Sequence, residues 1–102
     1  MTAPTPRAML EQRWLQLTRT TLPALAADRA WPVSADHCFQ RILLDAATDG
    51  VWYAAIAGRP AYRAASDDQL TRAVALADAV VAGTADLVAL NARSLAWRRR
   101  AG

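Results

Sequence analysis

Apolar side chains recur at intervals of three and four residues over most of the chain, which is the period of an amphipathic helix. Leu10, Trp14 and Leu17 show this spacing near the start, and with Thr5 as a suitable N-cap they predict a first helix from about Pro6 to Thr20. With 25 alanines but only 4 glycines and 5 prolines, the sequence lacks the many turn signals that a sandwich or barrel of this length needs. The pattern therefore predicts an all-α fold.

Proline, serine and glycine set further helix boundaries in the first half of the chain. Pro23 has no backbone N–H and predicts a kink or restart, after which the helix continues to about Arg29. Ser34 is a suitable cap for a helix over residues 35–48, and Gly50 stands just past its end. The buried face of this second helix is predicted to consist of Phe39, Ile42, Leu43 and Ala46.

The second half of the chain contains the strongest local signal. Residues 66–69, Ser-Asp-Asp-Gln, form a capping box and predict a helix that ends at Gly83 in a left-handed conformation. Thr84 is expected to cap a final helix over residues 85–100, and the aromatic-rich residues 51–65 are expected to form a structured connector with two short turns. Short connections imply antiparallel neighbours, so we predict a compact bundle of about five helical segments. The inner side of the final helix is predicted to carry Leu87, Leu90 and Leu95.

Length and charge limit the class of protein. A chain of 102 residues and 11.0 kDa has room for a single domain, in which we expect residues 1–5 and 101–102 to be frayed. All 12 basic residues are arginine, a bias typical of GC-rich genomes, so the net charge of +3 permits an anionic partner without requiring one. The sequence shows no signal peptide and no membrane-spanning segment, and we expect a soluble cytoplasmic protein.

The second predicted helix carries an unusual group of polar residues. His37, Arg41 and Asp45 follow one another at intervals of four, so their side chains share one face of the helix. Asn91 and Ser94 interrupt the apolar stripe of the final helix and need hydrogen-bond partners if that face is buried. We expect a polar patch that binds a small anion or a protein partner; the alternative is a solvated ion pair of Arg41 with Asp45. The predicted ligand-binding residues are His37, Arg41, Asp45, Tyr62, Asn91, Ser94 and Arg98.

The same helix supports a second hypothesis, a small transferase or hydrolase. His37 would act as general base and Cys38 as nucleophile, while Arg41 holds an anionic group. Successive residues point about 100° apart on a helix, so a buried and inert thiol is the alternative for Cys38. A single cysteine also excludes an internal disulfide and a cysteine-based metal cage. We therefore favour a non-enzymatic binding or adaptor module with neither metal nor cofactor.

The C-terminal residues support a third hypothesis. Trp97, Arg98, Arg99 and Arg100 combine an aromatic ring with three guanidinium groups, which suits phosphates and stacked bases and predicts contact with nucleic acid. The alternative is that these arginines stabilise the negative end of the helix dipole. Aromatic side chains in the connector and near the C-terminus would also suit a homodimer contact if they are exposed.

Several short motifs are spread over about residues 31–98: His37-Cys38-Phe39 with Arg41, Leu44 and Asp45; Trp52; Arg59-Pro60-Ala61-Tyr62; Gln69-Leu70; and Leu90-Asn91, Ser94-Leu95 and Trp97-Arg98. These motifs resemble those of a family of small, largely uncharacterised bacterial proteins, some of which are labelled GNAT-type N-acetyltransferases. The resemblance implies family membership and the motif positions. An acetyl-coenzyme A enzyme of that type needs a mixed sheet and a glycine-rich pyrophosphate loop, and this sequence predicts neither, so the acetyltransferase activity is not expected here.

Overall fold

Helices make up all the regular secondary structure in residues 3–101, the part of the chain that the computed structural model describes. The predicted all-α bundle is therefore confirmed. Residues 1, 2 and 102, where we expected fraying, lie outside the described residues, while Ala101 is the last residue of the final helix. The elements are α1 (Pro6–Gln16), a π-helical turn (Leu17–Thr21), α2 (Leu22–Ala26), α3 (Asp36–Thr48), α4 (Trp52–Ala55), α5 (Ala61–Ala64), α6 (Asp67–Ala82) and α7 (Leu87–Ala101).

The first helical stretch is continued through a widened turn. The Oγ1 of Thr5 accepts a hydrogen bond from the backbone N–H of Ala8, as expected of an N-cap. The N–H of Leu22 donates to the carbonyl of Leu17, five residues back, so a π-helical turn precedes Pro23. The extra residue in that turn makes room for the proline ring. Of the predicted kink or restart, the restart does not occur, because α2 follows the π-helical turn without a break. Helix α2 then ends at Ala26, earlier than expected.

The boundaries of α3 differ from those that the sequence predicts. Ser34 does not cap the helix, because the N-cap position is Ala35, which supplies no side-chain hydrogen bond. At the other end Asp49, with φ of 54°, takes the left-handed conformation, which Asp tolerates better than most residues. The N–H of Gly50 is then free to donate to the carbonyl of Asp45. The predicted apolar face is largely correct, since Phe39, Ile42 and Leu43 are fully buried and Ala46 is half-buried.

The capping box at the start of α6 forms as predicted. The N–H of Gln69 donates to the Oγ of Ser66, and the N–H of Ser66 donates to the Oε1 of Gln69. At its end Gly83 is left-handed, with φ of 83°. The side chain of Arg29 completes this end by donating to the carbonyls of Val80 and Val81, at 2.9 and 2.8 Å.

Helix α7 begins later than predicted and with a different cap. The hydroxyl of Thr84 donates back to the carbonyl of Ala79 at 3.2 Å, so Thr84 closes α6. The carboxylate of Asp86 accepts from the N–H groups of Val88 and Ala89 and takes the capping role. The prediction that Leu95 faces inward is also wrong, because its side chain is 42% exposed, whereas Leu87 and Leu90 are buried as predicted.

Helix α3 lies at the centre of the packing. It contacts α6, α7, α4 and the π-helical turn, while α1 packs on α6. Trp31 meets Phe39 edge to face, with ring centroids 5.8 Å apart, and so closes the core where α2 ends. No helix within the described range is both long and apolar enough to cross a bilayer. The largest fully buried apolar side chains are Trp14, Leu17, Leu22, Phe39, Ile42, Leu43, Leu70, Val80 and Leu87.

The Asp86 cap gives a first prediction. We expect Asp86→Ala to lower the free energy of unfolding by about 1 kcal/mol, because two N–H groups of α7 lose their acceptor. Asp86→Asn retains an acceptor oxygen and should lower the free energy of unfolding by only a few tenths of a kcal/mol. Urea unfolding followed by circular dichroism measures both changes. Equal stability of the alanine variant and the native chain would contradict the assignment of the cap.

Candidate functional site

The carboxylate of Asp45 is fully buried and receives hydrogen bonds from two other helices. From α4, the backbone N–H of Trp52 donates to Oδ1 at 2.9 Å. From α7, the hydroxyl of Ser94 donates to Oδ2 at 2.6 Å. The guanidinium of Arg98 completes the set, with Nε 2.9 Å from Oδ2 and Nη2 3.1 Å from Oδ1. A buried charge is stable only when it is paired and hydrogen-bonded, and Asp45 satisfies both conditions.

Arg41 is joined to the same network through neutral partners. Its Nη1 donates to the hydroxyl oxygen of Ser94 at 2.7 Å, and its Nη2 donates to the Oδ1 of Asn91 at 2.9 Å. The alternative that the sequence left open, an ion pair of Arg41 with Asp45, does not form. The hydroxyl of Ser94 lies between the two side chains, accepting from Arg41 and donating to Asp45. The structure thus brings together five of the predicted site residues: Arg41, Asp45, Asn91, Ser94 and Arg98.

A groove of about 280 Å³ opens beside this network, between the first three turns of α3 and the connector. Three of its lining side chains, Arg41, Arg59 and His37, carry a positive charge or gain one on protonation. No Asp or Glu lines it among the described residues. The remaining lining residues are Gln40, Leu44, Trp52, Pro60 and Ala61. We call this feature the basic groove.

The other residues predicted for the site lie at its margin or apart from it. His37 is exposed at the mouth of the basic groove, with Nδ1 3.7 Å from a carboxylate oxygen of Asp36. Cys38 is half-buried and is not part of the groove lining. Tyr62 does not join the Asp45 network, and its carbonyl accepts a hydrogen bond from Arg7. Catalysis by His37 and Cys38 stays a prediction.

The C-terminal arginines have different surroundings. Arg98 is bound to Asp45 and lies 5.5 Å over the ring of Tyr53, so its charge is already neutralised. Arg99 and Arg100 are exposed, and the ring of Trp97 is covered by Arg93 at 5.2 Å. Contact with nucleic acid through this segment stays a prediction, with Arg98 unavailable for it.

Sequence reasoning did not single out the cluster around Arg7. This guanidinium donates to the carboxylates of Glu11 and Asp67, at 2.8 and 2.7 Å, and to the carbonyls of Tyr62 and Ala65. The hydrogen bonds to Glu11 and Asp67 raise the pKa of Arg7 above its usual value. In the sequence, this cluster is indicated only by the i, i+4 spacing of Arg7 and Glu11, which favours an ion pair on one helix face. Arg7 ties α1 to α5 and α6 and lies outside the basic groove.

A second groove lies between α3 and α6 and is larger, at about 400 Å³. Its lining is mostly Ala and Leu, with the opposite charges of Asp49 and Arg72 at its edge. These charges balance, so this groove has no electrostatic preference for an anion. Within residues 3–101, no three His, Cys, Asp or Glu side chains are grouped so as to hold a metal ion.

Asp45 in α3 and Asp49 just after its end each pair with an arginine of α7, which allows a matched comparison. Asp45→Asn removes the buried negative charge that pairs with Arg98, and we expect it to lower the free energy of unfolding by about 3 kcal/mol. Asp49→Asn removes an exposed negative charge 3.6 Å from Arg93, keeps a side chain that tolerates the left-handed backbone, and should cost less than about 1 kcal/mol. Chemical denaturation of both variants measures the difference. Similar losses would show that the Asp45 network is not a principal source of stability.

Comparison with models of protein families gave no match, and neither curated proteins nor solved structures gave one. The resemblance to a family of small bacterial proteins therefore stays a prediction.

Proposed function

We propose that this helical domain is a binding module that holds a small anionic ligand in the basic groove. The observation that carries the proposal is that Arg41 has hydrogen-bond partners but no counter-ion among the described residues. Its guanidinium is half-buried and bound by two neutral oxygens, and no carboxylate of the described residues lies within ion-pair distance of it. A partly desolvated cation without a counter-ion favours an anion at that position.

The charge balance of the network supports the same conclusion. Arg98 neutralises the carboxylate of Asp45 through two hydrogen bonds, so Asp45 does not act as the counter-ion of Arg41. The positive charge of Arg41 is therefore not neutralised within the network. A guanidinium has five N–H donors. Ser94 and Asn91 take one each, which leaves donors for a ligand.

The rigidity of Arg41 also favours binding. Its hydrogen bonds to Ser94 and Asn91 hold the guanidinium in one orientation, and both acceptors belong to α7. A preorganised side chain loses little conformational entropy when a ligand arrives, so more of the interaction energy appears as affinity. Arg59 adds a second positive charge at the same groove. Its concave shape and small volume favour a small molecule over a macromolecular surface.

Titration with inorganic phosphate tests the proposal. We expect phosphate to shift the amide resonances of the groove residues in proton–nitrogen NMR spectra and Arg41→Gln to weaken binding about tenfold or more. A hydrogen bond between charged groups is worth about 1.5 to 3 kcal/mol, which corresponds to that loss. Arg72→Gln removes the same charge from the other groove and should change Kd less than about twofold.

Two outcomes would overturn the proposal. One is phosphate shifts that spread over all exposed arginines and do not centre on the groove. The other is equal weakening by Arg41→Gln and Arg72→Gln, which would indicate a dependence on net charge alone. Arg59→Gln is a further variant for the case in which Arg41→Gln does not fold, because Arg59 is exposed and has no part in the Asp45 network.

A further inference from the structure

The basic groove has an apolar floor as well as a charged wall. Leu44, Trp52, Pro60 and Ala61 line it together with the cations. Leu44 is buried, with 3% of its surface exposed, and the indole of Trp52 is half-buried. An inorganic anion would leave this apolar part in contact with water. The lining therefore suits a ligand that has an apolar body attached to its charged group.

Contacts of both the backbone and the ring hold Trp52 in place. The backbone N–H of Trp52 is bound to the buried carboxylate of Asp45. The indole ring meets the ring of Tyr53 edge to face, with centroids 5.6 Å apart. The guanidinium of Arg59 lies 5.6 Å from the centroid of the indole. Aromatic rings pack favourably against one another in stacked or edge-to-face geometry. A guanidinium stacks on aromatic faces and binds oxyanions through its N–H groups.

We propose that the basic groove takes an aryl oxyanion, a ligand with one aromatic ring and a phosphate or carboxylate group. This inference rests on the proposed function and specifies its ligand class. The oxyanion lies against Arg41 and Arg59, and the ring packs on Trp52 and Leu44.

The volume of the groove limits the size of the ligand. Pockets for drug-sized molecules range from about 300 to 1,000 Å³. The basic groove, at about 280 Å³, lies just below that range. A single ring with its charged group fits this space, whereas a dinucleotide is too large. The ligand is therefore expected to be a small molecule with a single aromatic ring.

Three probes separate the contributions of charge and ring: inorganic phosphate, phenyl phosphate and phenol. We expect phenyl phosphate to bind at least about tenfold more tightly than phosphate, because removing about 55 Å² of ring surface from water is sufficient for that gain. Phenol, which lacks the anion, should not bind measurably. In the native chain, the phenyl protons should show intermolecular nuclear Overhauser effects to the indole of Trp52, a readout that needs no variant.

A matched pair of variants locates the ring. Trp52→Leu should remove most of the advantage of phenyl phosphate over phosphate, measured as the ratio of the two dissociation constants within that variant. Because the ratio compares two ligands on the same variant, it does not depend on whether Arg59 moves when the indole is lost. Trp97→Leu changes another half-buried indole that an arginine covers, and should leave the ratio within about twofold of the native value.

The outcomes distinguish this inference from the proposed function. Equal affinities of phosphate and phenyl phosphate, or Overhauser effects to a different tryptophan, would overturn the aryl inference and leave anion binding in place. Failure of both anions to bind would overturn the proposed function as well. Binding of phenol as tight as that of phenyl phosphate would show an apolar site and contradict the role of Arg41.

Discussion

The buried carboxylate of Asp45 is the constraint on which the arrangement of α3, α4 and α7 depends. An ionised carboxylate without partners in a protein interior costs many kcal/mol, so its donors must be in place for the fold to be stable. Here they are the N–H of Trp52, the hydroxyl of Ser94 and the guanidinium of Arg98. Any sliding of α7 along α3 would separate two of these donors from the carboxylate at once. Asp45 therefore fixes the register of helices that apolar packing alone would position less strictly.

The same constraint prepares the basic groove. The hydroxyl of Ser94 donates to Asp45 and accepts from Arg41, so the bond that satisfies the buried anion also orients the cation beside the groove. Because Arg98 neutralises Asp45, the charge of Arg41 is not cancelled within the network. The bond from Trp52 to Asp45 sets the start of α4 and with it one wall of the groove. Stability and the proposed anion site thus share one group of hydrogen bonds.

Arginines with the same chemistry have different roles in this fold. Arg7 links α1 to the connector and α6, Arg29 binds the last carbonyls of α6, and Arg98 neutralises a buried aspartate. Arg41 and Arg59 instead line a concave surface that none of the described carboxylates enters. The abundance of arginine said little about function because composition does not distinguish these roles. Their surroundings do, since a cation becomes available to a ligand only where the fold provides no counter-ion.

The sequence by itself determined the helical class, the capping box at Ser66, the left-handed Gly83 and most of the apolar face of α3. These features depend on residues within about four positions of one another, and their chemistry is visible in the local pattern. It also predicted one polar patch that contains Arg41, Asp45, Asn91, Ser94 and Arg98, and the need of Asn91 and Ser94 for partners on an otherwise apolar helix face was one reason for it. The predicted patch also included His37 and Tyr62, which do not join the Asp45 network. Only the tertiary structure decided how the network residues pair. Arg41 binds residues 50 and 53 positions away and not Asp45 one turn along, because burial of Asp45 brings the guanidinium of Arg98 to that carboxylate. The basic groove depends in the same way on the packing of α3 against the connector, which no local pattern specifies.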